Sequence, residues 1–205
     1  MDALIMAGGK GTRMGRCGIE KPMQLVGGVP TIQRVVSAVS RSKSINKVIV
    51  SVSSNTPETE RFLSSKGVET IRTSGDGFME DLHSALEVLD SDFVMTVPSD
   101  LPMIMTWEVN TFAEFFRPEM ESAIVVVDEG TVLGTGVRPS YVVELDDGRW
   151  VLSGLCIVDR KKTLDGVYLN EEYMRTDWAD IAVNVNTKHE LDLARAMCEN
   201  GVRGR

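Results

Sequence analysis

The sequence predicts an α/β protein with a mostly parallel central sheet flanked by helices, and a small β ribbon in its C-terminal half. Two observations support this. Short apolar runs alternate with helical patterns through the first 116 residues, which is typical of a parallel, doubly wound sheet. One of these runs, residues 93–97, is almost continuously apolar, as expected for a central strand covered on both faces.

The chain has 205 residues, enough for a single domain (residues 1–205) with a substantial core. A net charge of −8 argues against a surface that coats nucleic acid. Three cysteines without paired spacing are typical of a reducing cytosol, so we expect a cytoplasmic protein. No signal peptide and no membrane span is predicted.

The elements of the first half follow from local patterns. The apolar run from Leu4 predicts a buried first strand, and apolar residues at i, i+3, i+4 and i+7 from Ile32 predict an amphipathic helix. Thr56 is expected to cap a further helix, with Pro57 at its first position. A later helix is predicted to bury a face that begins with Phe78. The remaining elements of this half are strands at residues 47–52, 68–72 and 93–97 and a helix at about 106–116.

The second half is less regular. Residues 160–180 show only weak periodicity, and the last helix is predicted to begin at Thr187, which forms a capping box with Glu190. Gly201 is expected just beyond its end. The predicted strand segments are residues 123–127, 132–145 and 150–158, the last two forming a ribbon with a turn at 147–148, and then residues 181–185.

A glycine-rich loop follows the first strand. Glycine allows backbone N–H groups to approach an anion closely, and Lys10 and Arg13 place positive charge beside them. A dinucleotide fingerprint is excluded because Met14 stands where its last glycine is required, and a Walker A loop is excluded because Lys10 is followed by Gly11. A glycine-rich turn with two solvated cations is the alternative interpretation. The four glycines are Gly8, Gly9, Gly11 and Gly15.

Asp100 follows the predicted central strand, at the edge where open α/β sheets bind ligands. One carboxylate there, together with substrate phosphates, suffices for Mg²⁺, although a turn aspartate is the simpler alternative. The histidines, His83 and His189, lack metal-ligand spacing and are interpreted as structural. Cys17 lies near cations but is interpreted as incidental.

Residues 4–22, with their glycines, Arg13, Met14 and Lys21-Pro22, resemble the signature of nucleotidyltransferases with a GT-A-like, Rossmann-related fold. Within that superfamily the chain is similar along most of its length to the archaeal-type adenosylcobinamide-phosphate guanylyltransferases. Molybdenum-cofactor guanylyltransferases and sugar-phosphate nucleotidyltransferases remain alternatives. A further alternative is a regulatory module that binds GTP without catalysing a reaction.

This resemblance implies transfer of GMP from GTP to adenosylcobinamide phosphate, which gives adenosylcobinamide-GDP and pyrophosphate in cobalamin biosynthesis. It implies Mg²⁺ as cofactor, GTP and a phosphorylated corrinoid as partners, and a possible homodimer. The attacking phosphate is already anionic at neutral pH, since the second pKa of a phosphate monoester is near ~6, so no general base is required.

The resemblance also implies roles for individual residues. Lys10 and Arg13 would contact the β- and γ-phosphates and Lys21 the α-phosphate, while Asp100, with Asn186, would hold Mg²⁺. The residues expected to bind the nucleotide or to line the site are Ala7, Gly8, Gly9, Gly11, Thr12, Ser74, Gly75, Gly77, Gly154 and Asn184. Of these, Ser74, Gly75 and Gly77 would frame the guanine, Gly154 would line the acceptor side, and Asn184 would lie near the metal and phosphates.

Overall fold

The computed structural model describes residues 1–15 and 18–201. Its strands in chain order are β1 (Asp2–Met6), β2 (Leu25–Val26), β3 (Val29–Pro30), β4 (Val48–Val52), β5 (Glu69–Arg72), β6 (Phe93–Pro98), β7 (Ser122–Asp128), β8 (Val142–Leu145), β9 (Gly148–Asp159) and β10 (Glu171–Thr176). The helices are α1 (Thr31–Ser40), α2 (Pro57–Ser65), α3 (Phe78–Leu86), α4 (Thr106–Phe115), α5 (Glu129–Gly134), α6 (Arg160–Leu164) and α7 (Lys188–Glu199).

Within the described residues, eight strands form one sheet in the order β10-β7-β9-β6-β1-β4-β5, with β8 paired to β9. β1 lies between β4 and β6 and is parallel to both. The chain therefore runs outward from β1 through β4 to β5 and then returns to β6 on the other side of β1. In open α/β sheets such a reversal opens a crevice at the carboxyl ends of the strands, here those of β1 and β6.

The sheet is covered on both faces, as the apolar runs predict. Neighbouring residues of β1 belong to different cores: Ile5 lies in a cluster with apolar residues of α1, α2, α4 and α7. Leu4 lies in a second cluster with Leu82, Ala85 and Leu86 of α3. The change of face between α2 and α3 coincides with the reversal of strand order, as right-handed crossovers require.

The predicted ribbon is confirmed for β8 and β9, which form a hairpin. β9 also lies antiparallel between β6 and β7, so the sheet is mixed. Its register against β7 shifts, so that residues 153–155 oppose the single residue Val125. Such a bulge bends a strand and re-aims its side chains.

Two predictions for the second half are wrong in detail, and one stretch for which no element was predicted contains two. Within residues 132–145, the start is helical: α5 begins one residue after Asp128, whose carboxylate accepts a hydrogen bond from Thr131 N at 2.8 Å. Residues 182–185 form no strand, because Val185 N donates to Asp100 O at 2.9 Å instead of to a sheet neighbour. The weakly periodic stretch 160–180 contains α6 and the edge strand β10.

The end of the chain is as predicted up to Gly201. Thr187 and Glu190 form the capping box of α7, and Gly201 has a φ of 62°, the left-handed conformation that favours glycine after a helix. No helix in the described part of the chain is both long enough and apolar enough to cross a membrane.

Candidate active site

A cavity of about 310 Å³ lies in the crevice at the carboxyl ends of β1 and β6. The loop after β1 forms one wall, and the residues after β6 form another. The residues predicted from the sequence that line it are Ala7, Gly9, Lys10, Gly11, Thr12, Arg13, Lys21, Asp100, Gly154 and Asn186.

A cluster of four polar side chains lies in this cavity. Lys21 Nζ donates to Asp100 Oδ2 at 2.5 Å and to Asn186 Oδ1 at 2.8 Å. Arg13 Nη2 donates to the same Asn186 oxygen at 2.8 Å. The Lys21 and Asp100 side chains are 19% and 13% exposed, so this ion pair is largely shielded from solvent. The fold thus brings together residues up to 173 positions apart in sequence.

Asp100 keeps its second carboxylate oxygen, Oδ1, buried and without a hydrogen-bond partner among the described residues. A buried carboxylate oxygen without a hydrogen-bond partner destabilises the folded protein, and a hard divalent cation is a suitable partner for it. Asn186 Oδ1, which binds the same lysine, is a second oxygen of the type that Mg²⁺ accepts. The residues present therefore fit a divalent cation.

Lys10 is placed differently from Lys21. Its Nζ lies 3.2 Å from Asp76 Oδ1, and both side chains are more than half exposed. Exposed pairs of this kind contribute little to stability, so Lys10 can exchange this partner for a phosphate at small cost.

The glycines of the loop after β1 have distinct functions. Gly11 adopts a left-handed conformation, with φ of 59°, and starts the turn Thr12–Met14. A Cβ on Gly9 would meet nothing within 4 Å, so this backbone faces the cavity. Gly8 does not line the cavity. Its carbonyl accepts hydrogen bonds from Ser53 Oγ at 2.6 Å and Asn55 Nδ2 at 3.2 Å, which ties the loop to the end of β4.

Glu20, directly before Lys21, is a site-supporting residue that the sequence reasoning missed. Its carboxylate accepts hydrogen bonds from Glu58 N at 2.6 Å and from Thr59 N and Oγ1 at 2.7 and 2.6 Å. It therefore caps α2, while the Thr56 hydroxyl accepts from Ser53 N instead. The expected side-chain cap by Thr56 is wrong, because a carboxylate is a better acceptor at a helix N-terminus than a hydroxyl. The cap fixes the backbone that carries Lys21.

Asn186 is held by the capping box of α7. Glu190 Oε2 accepts from Asn186 N at 2.7 Å and from Thr187 N at 2.8 Å, and Thr187 Oγ1 accepts from Glu190 N at 3.3 Å. The hydrogen bond from Val185 N to Asp100 O joins this segment to the end of β6. The capping box that the sequence predicts for α7 therefore also fixes the backbone of Asn186 in the site.

The loop predicted to frame the guanine has internal hydrogen bonds. Ser74 Oγ and Gly75 N both donate to Asp81 Oδ1, at 3.0 and 2.9 Å. Ser74, Gly75 and Gly77 are not among the residues that line the cavity, so their contact with a base stays a prediction.

Phe78 does line the cavity, although the sequence pattern predicted it to be buried in the core. Its side chain is 59% exposed. The prediction was wrong because Phe78 lies one turn before Leu82 and so shares its helical spacing, yet it begins the helix beyond the edge of the sheet.

A second cavity, of about 400 Å³, adjoins the first and shares with it Arg13, Pro98, Asp100, Gly154 and Asn186. The β9 bulge explains why Gly154 lies between them. Its φ is 83°, and a Cβ there would lie 2.8 Å from Pro98 Cγ, so the position favours glycine. Asn184 lines this second cavity rather than the first, and its Nδ2 donates to Ser153 O at 3.2 Å.

The histidines and the described cysteines do not form a second catalytic site in the described part of the chain. His83 lies 3.7 Å from Glu87, and His189 Nε2 lies 3.2 Å from Gly136 O. No group of three or more His, Cys, Asp or Glu side chains with metal-ligand geometry occurs in residues 1–15 and 18–201. Burial raises the pKa of the Cys156 thiol to about 12, so it is no nucleophile at neutral pH. Cys17 lies outside the described residues.

Comparison with known proteins agrees with this geometry. Residues 3–194 match the family model of the MobA-like NTP transferase domain. The adenosylcobinamide-phosphate guanylyltransferase of Methanocaldococcus jannaschii is 34% identical over 208 residues, which covers 96% of this chain and 97% of that protein. A molybdenum cofactor guanylyltransferase of Histophilus somni is 31% identical over 107 residues, 51% of each chain.

A solved structure of a nucleotidyl transferase from Methanothermobacter aligns with a TM-score of 0.73 over 98% of both chains. At 16% sequence identity, this likeness concerns the fold, and it confirms the predicted nucleotidyltransferase architecture. The family match over residues 3–194 shows that the chain belongs to the MobA-like NTP transferase domain family.

Proposed function

We propose that this protein transfers GMP from GTP to adenosylcobinamide phosphate, which forms adenosylcobinamide-GDP and releases pyrophosphate in cobalamin biosynthesis. The observation that carries nucleotidyl transfer is the cluster of Lys21, Asp100 and Asn186 beside a glycine loop. The acceptor follows from the relative of that name, which matches over nearly the full length of both chains. The molybdenum cofactor guanylyltransferase matches over only half of each chain, so its acceptor is the second candidate.

The loop after β1 would hold the triphosphate. Ala7 and residues 9–12 of this loop border the cavity, where Gly9 leaves room for phosphate oxygens to approach backbone N–H groups. Lys10 and Arg13 on the same loop would neutralise the β- and γ-phosphates. Fixed cations would thus stabilise the negative charge that develops on pyrophosphate as it leaves.

Chemistry at the α-phosphorus would require positioning and charge neutralisation rather than a base. The acceptor phosphate is the nucleophile and is anionic at neutral pH. Lys21 would meet the charge that develops on the α-phosphoryl oxygens, because its ion pair with Asp100 directs the ammonium into the cavity. Arg13 and Lys21 share the Asn186 oxygen, which keeps the two cations close together.

Asp100, with Asn186, would hold Mg²⁺ when the nucleotide is bound, on the strength of the partnerless Asp100 Oδ1. Bound there, the ion would act as a Lewis acid that stabilises negative charge on the transferring phosphoryl group. We also place the reaction in the cytoplasm, since Cys156 and Cys198 are free thiols.

The test is pyrophosphate release from GTP with and without adenosylcobinamide phosphate, and with molybdopterin as the competing acceptor. We expect release only with the corrinoid acceptor, and loss of at least ~10²-fold in kcat for Asp100→Asn. Asp92→Asn is the matched control, because it alters an exposed carboxylate at the opposite end of β6. Release with molybdopterin alone would favour the second candidate. GTP binding without acceptor-dependent release would favour a nucleotide-binding regulator.

A further inference from the structure

The second cavity extends away from most of the glycine loop: of that loop it is lined only by Arg13, whereas the first cavity is lined by Gly9, Lys10, Gly11 and Thr12 as well. It meets the first cavity at Asp100 and Asn186, which are proposed to hold Mg²⁺, and at Gly154, which was expected to line the acceptor side. In an in-line displacement the nucleophile enters opposite the leaving group. If pyrophosphate leaves toward the glycine loop, the acceptor must enter from the second cavity.

The charges that line this cavity suit an anion. Both of its carboxylates are already engaged: Asp100 binds Lys21, and Glu190 accepts from the backbone of Asn186 and Thr187. Arg138, in contrast, is exposed and has no hydrogen bond or ion pair within the described part of the chain. The cavity therefore holds one cation that is free to bind an incoming phosphate.

The rest of the lining is largely apolar. Val132, Val137 and Val151 are buried beneath it, and Tyr141 is 68% exposed at its rim. A volume of about 400 Å³ admits a phosphate and a short linker but cannot enclose a complete corrinoid with its ring substituents. The ring would have to stay outside, where Tyr141 offers an exposed aromatic face for it.

From this placement we infer that the second cavity is the acceptor subsite: it takes the phosphomonoester arm of the corrinoid, Arg138 pairs with its phosphate, and Tyr141 supports the macrocycle. The inference rests on the proposed function for the identity of the acceptor. It assigns acceptor binding to residues 132–141, a segment in which the sequence predicted no site residue.

The experiment is a calorimetric titration of the GTP-free protein with adenosylcobinamide phosphate and, separately, with adenosylcobinamide lacking the phosphate. We expect the wild type to bind the phosphorylated form more tightly. Arg138→Gln should weaken binding of that form by roughly 10-fold or more, the scale of a charge-assisted hydrogen bond, and should leave binding of the other form unchanged. GTP affinity should be unchanged.

The matched control is Arg117→Gln, which removes an exposed arginine that precedes β7, at the opposite edge of the sheet. Ser140→Trp is the second variant. Ser140 is exposed and lines the cavity, so a bulky side chain there should weaken binding of both acceptor forms without changing the affinity for GTP.

If Arg138→Gln weakens binding of both acceptor forms equally, the proposed phosphate contact is refuted. Unchanged acceptor binding in both variants, or no acceptor binding to the wild type, would overturn the subsite. If the wild type binds acceptor but releases no pyrophosphate with GTP, the proposed function fails while the titrations still decide the subsite.

Discussion

Glu108, in the first turn of α4, makes the stability of this protein depend on pH in an unusual direction. Its side chain is fully buried, and Oε2 accepts a hydrogen bond from Met105 N at 2.7 Å. The pKa of this carboxyl is raised from 4.5 to about 8, mainly by burial; the hydrogen bond from Met105 lowers it and the charge of Asp180 raises it, both by less. At neutral pH the folded protein thus holds a protonated glutamic acid.

The sign of the effect follows from proton binding. Between pH 4.5 and about 8 the folded state keeps the proton and the unfolded state has released it. The free energy of unfolding therefore falls as pH rises through this window, by about 1.4 kcal/mol per pH unit, and the contribution is lost above pH 8. At pH 7 ionisable Glu108 lowers stability by about 3 kcal/mol relative to a neutral group of the same shape.

Glu108→Gln supplies that neutral group. Urea unfolding of both proteins should be measured at several pH values from 5 to 9. The free energy of unfolding of the variant minus that of the wild type should increase by about 1.4 kcal/mol per pH unit and level off above pH 8. Glu114→Gln, an exposed position on the same helix, should show a nearly constant difference. A pH-independent difference for Glu108→Gln would refute the reasoning.

Three further outcomes are expected. Lys21→Met should lower kcat by roughly 10²-fold or more with little change in the dissociation constant of GTP, because it removes a cation that acts on developing charge. Pyrophosphate-release assays measure kcat, and GTP titrations measure the dissociation constant. Glu20→Gln should lower the unfolding temperature, since it removes the charge from the cap of α2, and should lower kcat as well; both effects should exceed those of Glu69→Gln, an exposed strand position. Phe78→Ala should weaken binding of GTP but not of tripolyphosphate, since an aromatic side chain at the cavity mouth can stack only on a base; equal loss of both ligands in calorimetry would count against it.

The parts of the fold that the sequence predicts are those with a local signal. Alternating apolar runs predict the parallel sheet, and the position of Asp100 after the central strand predicts that it lies at the ligand-binding edge. The roles of Lys21 and Asn186 came from the family resemblance, and their contacts with each other and with Asp100 were not predicted. The predicted strand at 181–185 is wrong because Val183 and Val185 are buried in the main hydrophobic core without pairing in the sheet. Burial alone does not distinguish a paired strand from an unpaired segment.

The missed features depend on contacts between distant segments. Glu20 caps a helix that begins 37 residues later, and no short pattern links a glutamate to a helix N-terminus at that separation. The edge strand β10 is polar on much of its length, so it lacks the apolar signal of the inner strands. The second cavity is formed by α5, β9 and the segment before α7, which only the folded chain brings together.

The supports of the site share one arrangement. Lys21 and Asn186 each lie beside a glutamate-capped helix terminus: Glu20 caps α2, and Glu190 caps α7 and holds the Asn186 backbone. A capping hydrogen bond needs its donors within a few tenths of an ångström, so each cap fixes the backbone of the neighbouring site residue as tightly as it fixes the helix. The capping interactions that stabilise two helices therefore also set the distance between the catalytic cation and the amide that would hold the metal. In this fold, loss of either cap should therefore reduce stability and turnover together.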